Sequence, residues 1–201
     1  MNRLTALFKH AGCAAMVAAL LAAPAHAALK PGASAPMFTT QAALAGKPFA
    51  FDMAEALRKG PVVLYFFPKA FTQGCTIEAH AFAEATPEFN KMGATVIGIS
   101  HDDIDTLEKF STEACRDQFA VASDVSAAAI RAYDAGNAAR PGTASRISYV
   151  IDPQGKIVFM HEGADPLEHV RQTLEAVRRL HEPSAAASNS SRLCCINNVT
   201  Y

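Results

Sequence analysis

The stretch Pro61-Val62-Val63-Leu64-Tyr65-Phe66-Phe67, closed by Pro68, most constrains how this chain can fold. An unbroken apolar run of that length, with no polar alternation, suits a strand buried on both faces. Ala94–Ser100 (ATVIGIS) reads as a second strand of the same kind. Between them, Cys75–Ala85 is rich in helix formers and is expected to stop before Pro87. Asp105–Gln118 predicts a helix with Leu107, Phe110 and Ala114 on one stripe, and Ser126–Tyr133 predicts another. Pro48–Asp52 is a short candidate strand. Arg146–Ile151 and Lys156–His161 flank the turn signal Asp152-Pro153-Gln154-Gly155 and predict a hairpin. A last helix runs from Pro166 to about Leu180, with Asp165 as its N-cap. Alternating strands and helices, then a hairpin and a closing helix, imply an α/β fold. The expected architecture is a central mixed sheet flanked by helices on both faces, and the thioredoxin-like class fits it best.

The ends of the chain read differently. Residues 1–27 combine the basic Arg3 and Lys9, the apolar run Ala14–Ala23 and the small-x-small site Ala25-His26-Ala27. That pattern predicts a signal peptide cleaved before Ala28, because the run is too short to span a membrane. Export would place the protein outside the cytoplasm, most simply in a periplasm, where thiols oxidise unless something reduces them. From Pro183 to Tyr201 the only charge is Arg192, no periodicity survives, and a flexible tail carrying Cys194 and Cys195 is expected. Residues 28–182 are left as one domain of ordinary size. The chain as a whole has 201 residues, 50% of them hydrophobic, and a formal net charge of −1. Such a balance excludes overall disorder and lacks the positive footprint of a general nucleic-acid binder.

Chemistry is concentrated in Pro68-Lys69-Ala70-Phe71-Thr72-Gln73-Gly74-Cys75. A buried strand ends, a loop turns, and a helix begins at a cysteine. The first turn of a helix offers the positive end of the dipole and free N–H groups, an environment that favours a thiolate. Thr72 stands at N-cap spacing, so its hydroxyl is expected to meet the Cys75 N–H or sulfur. Gly74 would let the backbone approach a small ligand closely. The bland alternative, a cysteine serving as a small core hydrophobe, fits a strand-to-helix junction less well. Glu78 either accepts from a cation or simply suits a helix start. Lys69 reads as a solvated charge. His80, His101, His161, His169 and His181 have no metal-ligand spacing and read as surface or satisfied histidines, so neither a metal nor another cofactor is expected.

The pattern Pro-x-x-x-Thr-x-x-Cys after such a strand resembles the active-site motif of the peroxiredoxins. Phe67-Pro68-Lys69-Ala70-Phe71-Thr72-Gln73-Gly74-Cys75-Thr76 is similar to the peroxiredoxin Q, or bacterioferritin-comigratory-protein, branch. So are Arg146–Ile157 (RISYVIDPQGKI) and the opening Leu29–Phe38, and the resemblance covers about Leu29 to Leu180. It implies a thiol-dependent peroxidase in which Cys75 is the peroxidatic thiolate. Arg146 would favour that thiolate and polarise the peroxide. The N–H groups of Gly74 and Cys75, with the Thr72 hydroxyl, would orient the bound oxygens, and Pro68 would shield the sulfur.

Many members of that branch place a second cysteine five residues after the first; here that position is His80. The resemblance then points to Cys115, in the predicted helix Asp105–Gln118, as the resolving thiol, with a buried structural cysteine as the alternative. The implied partners are a peroxide substrate and an exported thioredoxin-like reductant. Nucleic acid is not expected as a partner, nor membrane once the signal is cleaved, and the state would be a monomer or weak homodimer. Two other readings remain. A thioredoxin-type thiol–disulfide oxidoreductase would need Cys-x-x-Cys, which the chain lacks, and copper delivery would need Cys-x-x-x-Cys, where Ala79 stands. An exported binding or holdase module on the same fold would have no use for Thr72, Cys75 and Arg146 together.

Overall fold

The computed structural model describes residues 28–182; the predicted signal and tail lie outside them. In chain order the elements are β1 (Thr39–Leu44), β2 (Lys47–Asp52), α1 (Met53–Lys59), β3 (Val62–Phe66), α2 (Gln73–Lys91) and β4 (Thr95–Ser100). They continue with α3 (Ile104–Glu113), β5 (Ala120–Ser123), α4 (Ala128–Ala132), β6 (Ile147–Ile151), β7 (Ile157–Glu162) and α5 (Pro166–His181). The sheet is seven-stranded, in the order β2-β1-β5-β4-β3-β6-β7. β3, β4 and β5 run parallel, and the remaining pairings are antiparallel.

Period-two alternation along β3 explains the two-layer cover. Val62, Leu64 and Phe66 enter one core with Ile97, Ile99, Tyr133 and Tyr149, under α1 and α4. Val63, Tyr65 and Phe67 enter the other with Phe82, Phe89, Phe110 and Val177, under α2, α3 and α5. The architecture is the expected mixed sheet with helices on both faces. Its site end lies where the parallel strands β3 and β4 stop and the chain turns into α2 and α3.

Four details differ from the sequence reading. α2 does not stop before Pro87 but carries it to Lys91. Thr86 and Phe89 continue the buried face begun by Phe82, and that burial outweighs the one backbone bond the exposed Pro87 removes. α3 begins at Ile104, capped by the Asp103 carboxylate accepting from the Thr106 N–H, and ends at Glu113. Arg116 and Asp117 then adopt left-handed backbone (φ 50° and 60°), so Cys115 sits in the turn after the helix and not within it. α4 is shorter than Ser126–Tyr133, because left-handed Ala127 (φ 53°) precedes it. Finally, β1, α1 and β5 were not expected. β1 and β5 are built around small buried residues (Ala42, Ala43, Val121, Ala122), and α1 spans only seven residues.

Candidate active site

β3 delivers the chain to half-buried Pro68, and the loop that follows is pinned from below. Asp102, just past β4, accepts from the Ala70 N–H and from the Ser100 hydroxyl, both at 2.8 Å. Phe71 takes left-handed backbone (φ 62°) and leans its exposed ring edge-on against Phe110, with ring centres 5.2 Å apart. Thr72 occupies the N-cap backbone position of α2, but its hydroxyl donates to the Lys69 carbonyl at 2.9 Å. The expected contact with the Cys75 N–H or sulfur is not made: the hydroxyl is turned back into its own loop. Lys69 is solvent-exposed, as its sequence context suggests.

The first backbone bond of α2 runs from the Thr76 N–H to the Thr72 carbonyl at 2.9 Å. The N–H groups of Gln73, Gly74 and Cys75 thus stand outside the helical ladder, at the positive end of a 19-residue helix. Cys75 is a free thiol only 2% exposed. Arg146, immediately before β6, reaches across with one guanidinium nitrogen, and Nη2 stands 3.4 Å from Cys75 Sγ. Its other terminal nitrogen, Nη1, donates to Glu78 Oε2. A Cβ on Gly74 would lie 3.1 Å from Arg146 Nη2, so the missing side chain is what lets the guanidinium lie over the helix start. The sequence pointed to close approach of a small ligand at Gly74; the group found close to it is Arg146.

Glu78 is fully buried one turn along α2. Loss of water drives its carboxyl up to about 8, with Arg146 pulling the other way. Behind it, the buried His169 of α5 donates Nε2–H to the Gly163 carbonyl at 3.0 Å and approaches the Ser148 hydroxyl through Nδ1 at 2.8 Å. Burial holds this imidazole down at about 4, so it is neutral and satisfied. His80, His101 and His161 are partly exposed and His181 is exposed.

Cys115 is the second free thiol among the described residues, with no exposure at all. Burial, with Asp117 nearby, pushes it far above the usual thiol range. Pro68, Thr72, Gly74, Cys75, Glu78 and Arg146 are thus gathered around one helix start, whereas Cys115 belongs to the core beside Phe110 and Phe119. Sequence reasoning did not find Asp102 or the role of His169. Asp102 had a usable signal, since it directly follows a buried strand, where site residues gather in parallel sheets.

A buried cysteine at a strand-to-helix junction, under an arginine and on this sheet, defines a thioredoxin-like thiol protein. Residues 31–160 match the AhpC/TSA family. Peroxiredoxin Q of Triticum aestivum chloroplasts is 32% identical over 121 residues, covering 60% of this chain and 55% of that relative. Peroxiredoxin Bcp of Xanthomonas campestris is 30% identical over 125 residues, covering 58% of this chain and 76% of that protein. The crystal structure of peroxidoxin BcpB from Mycobacterium tuberculosis superposes with a TM-score of 0.69 at 26% identity, covering 76% of this chain and 98% of that one. The chain belongs to the AhpC/TSA family and, within it, to the peroxiredoxin Q/Bcp branch. It spans only 55% of the length of the wheat relative. No helix among the described residues is long and apolar enough to cross a membrane.

Proposed function

We propose that the protein is a thiol-dependent peroxidase that reduces hydrogen peroxide and organic hydroperoxides. The observation that carries this reading is the Cys75 sulfur held 3.4 Å from Arg146 Nη2 at the open start of α2. The thiolate attacks one peroxide oxygen, an S–O bond forms as the O–O bond breaks, and the departing oxygen takes up one proton, equivalent to the one the thiol gave up on becoming a thiolate, to leave as water or alcohol. Arg146 and the N–H groups of Gly74 and Cys75 supply donors where charge develops on the oxygens. Half-buried Pro68 limits water at the sulfur. The Cys75 sulfenic acid is then attacked by Cys115, which expels water and leaves a disulfide. A thioredoxin-like dithiol takes up the oxidation and restores both thiols.

Both sulfurs are buried, so this second step needs the turn after α3 to open. Export belongs to the same proposal: cleavage before Ala28 would release a periplasmic enzyme, a monomer or weak homodimer, served by an exported reductant. The test is peroxide consumption with a thioredoxin-type reductant, together with disulfide mapping after one equivalent of peroxide. Wild type should turn over and show a Cys75–Cys115 bond, and Cys75→Ser should be inert. Cys115→Ser should consume one equivalent and stall. Turnover by Cys75→Ser would end the reading, and normal turnover by Cys115→Ser would remove Cys115 from it.

A further inference from the structure

Glu78 Oε1 is a buried carboxylate oxygen with no hydrogen-bond partner among the described residues. Its neighbour is His169 Nδ1, 4.0 Å away. That approach is not an ion pair. The Gly163 carbonyl can only accept, so His169 Nε2 carries the ring hydrogen, and Nδ1 is an acceptor already facing the Ser148 hydroxyl. The single lone pair of Nδ1 is taken by the Ser148 hydroxyl, so Oε1 faces a nitrogen with no hydrogen to give it, and the charge left uncompensated there is removed when the carboxyl carries a proton. Arg146 meanwhile forks between two anionic partners, the Cys75 sulfur and Glu78 Oε2. One guanidinium charge cannot fully compensate both in a site from which water is excluded.

We propose that Glu78 holds a proton while Cys75 is a thiolate and releases it when Cys75 becomes a sulfenic acid, with His169 and Ser148 as the positioning residues that keep Oε1 against an acceptor. The inference rests on the peroxidase reading above. Thiolate, protonated Glu78 and a hydroperoxide become sulfenic acid, Glu78 carboxylate and an alcohol or water. One S–O bond forms, one O–O bond breaks, sulfur loses two electrons and the peroxide gains them. The departing oxygen gains one proton and Glu78 loses one, so mass and charge balance. Arg146 pairs with sulfur before the reaction and with Glu78 after it, so a full positive charge always has a partner.

The ionisable groups around Glu78 agree. Arg146, ahead of β6, lowers its carboxyl, but burial outweighs that pull and leaves it near 8. Tyr65 of β3 has a buried hydroxyl without a partner among the described residues, and burial keeps its phenol neutral. His169 of α5 is held neutral near 4, with the His161 ring of β7 packed edge-on 4.5 Å from it. Cys75 of α2 is the one group nearby whose charge the reaction removes.

The experiment is an infrared difference spectrum of Cys115→Ser before and after one equivalent of hydrogen peroxide, with Cys75 followed by mass spectrometry. The expected result is sulfenic acid at Cys75, loss of a protonated-carboxyl stretch and gain of a carboxylate band. Both bands should be absent in Glu78→Gln and should shift when glutamate is ¹³C-labelled at its carboxyl; the label gives the assignment even if Glu78→Gln folds poorly. Sulfenic acid with no carboxyl change overturns the proposal and leaves the peroxidase standing. No sulfenic acid at Cys75 overturns the peroxidase reading, and the proposal with it. His169→Asn puts a side-chain amide donor at the position of Nδ1, toward Glu78 Oε1. Glu78 should then ionise in the reduced protein, and the pH profile of peroxide reaction should move up by about one unit, about tenfold slower at neutral pH. An unmoved profile in a folded His169→Asn protein overturns the positioning role.

Discussion

Cys75 and Cys115 lie in the same packed layer, on the sheet face covered by α2, α3 and α5, yet their surroundings have little in common. Cys75 sits at the N-terminal end of a long helix, with three N–H groups outside the ladder and Arg146 Nη2 at 3.4 Å. Cys115 follows the C-terminal end of a ten-residue helix, where carbonyls point onward, and burial drives its thiol upward. Its own N–H closes the helix by bonding to the Phe110 carbonyl at 3.0 Å. The contrast shows that burial alone does not decide what a cysteine does; the dipoles and charges that replace water decide it. It also shows where movement would come from in the disulfide step proposed above. The Cys75 side is tied by Arg146, Glu78 and Asp102, whereas two consecutive non-glycine residues beside Cys115 hold left-handed backbone.

The largest effect should come from cutting the charge that separates the two sites. Arg146→Ala should slow the single-turnover reaction with peroxide by about 10²–10³-fold, the range for losing one donor at a developing oxyanion. Cys115→Ser should leave that same first-turnover rate within about a factor of 2, because no hydrogen bond among the described residues joins the buried Cys115 thiol to Arg146 or Cys75. Stopped-flow measurement of both variants breaks the comparison if the two losses are equal.

Next comes pH, which should act through the Cys75 side alone. The Glu78 carboxyl is raised to about 8 in the fold, against about 4.3 unfolded, so the folded chain keeps a proton that the unfolded chain has lost. Its contribution to stability is greatest below about pH 4.3 and falls as pH rises towards 8. His169 is lowered to about 4, against about 6.5 unfolded, so its contribution is present above 6.5 and lost as pH falls to 4. The two slopes oppose each other between about 4.3 and 6.5, and only the Glu78 fall remains from 6.5 to 8. Urea midpoints should decline over that upper window, by up to about tenfold in the folding equilibrium per pH unit. Glu78→Gln should flatten the decline, and Cys115→Ser should leave it in place.

Gly74→Ala sharpens the comparison at the level of position. The new methyl would stand 3.1 Å from Arg146 Nη2, tight enough to displace the guanidinium by a few tenths of an ångström. A misplacement of that size should cost about tenfold in the peroxide rate constant. The melting temperature should stay close to that of wild type, since alanine suits a helix better than glycine. A variant that keeps the full rate would show that the arginine acts at longer range than its 3.4 Å approach suggests.

What was readable in the sequence follows from how local each signal is. β3 and β4 announce themselves through continuous apolar runs, and the Thr72–Cys75 segment through its place between strand and helix. β1 was invisible because its buried residues are Ala42 and Ala43, which carry no hydrophobic period. The extent of α2 was misjudged because a proline rule is local, whereas the burial of Phe89 is tertiary. The same limit applies to the site. Arg146 could be paired with Cys75 only through the family motif. His169 had no local signal, since its partners Ser148 and Gly163 meet it only once α5 has packed on β6.

The smallest effect concerns the one ion pair among the described residues that directly joins the two regions. Arg116, in the turn that holds Cys115, donates from Nη1 to Glu84 Oε1 of α2 at 3.0 Å. Glu84 lies on the same helix as Cys75, so this contact ties the turn that holds Cys115 to the helix that carries Cys75. Both side chains are about half-exposed or more, so water screens the pair and its worth is about 0.2–1 kcal/mol. Glu84→Ala should therefore raise the population of open turns by about 1.5- to 5-fold at low salt, the fold-change that such an energy represents. If opening of that turn limits disulfide formation, the second oxidation phase should quicken by that factor. The first phase, attack on peroxide, should not change, because nothing at Arg146 or Gly74 has moved. Salt offers an independent check: 0.5 M sodium chloride should quicken the wild-type second phase and leave Glu84→Ala nearly unaffected. An unchanged second phase in Glu84→Ala would place the limiting movement at the start of α2, and the more tightly held cysteine would be the one that has to yield.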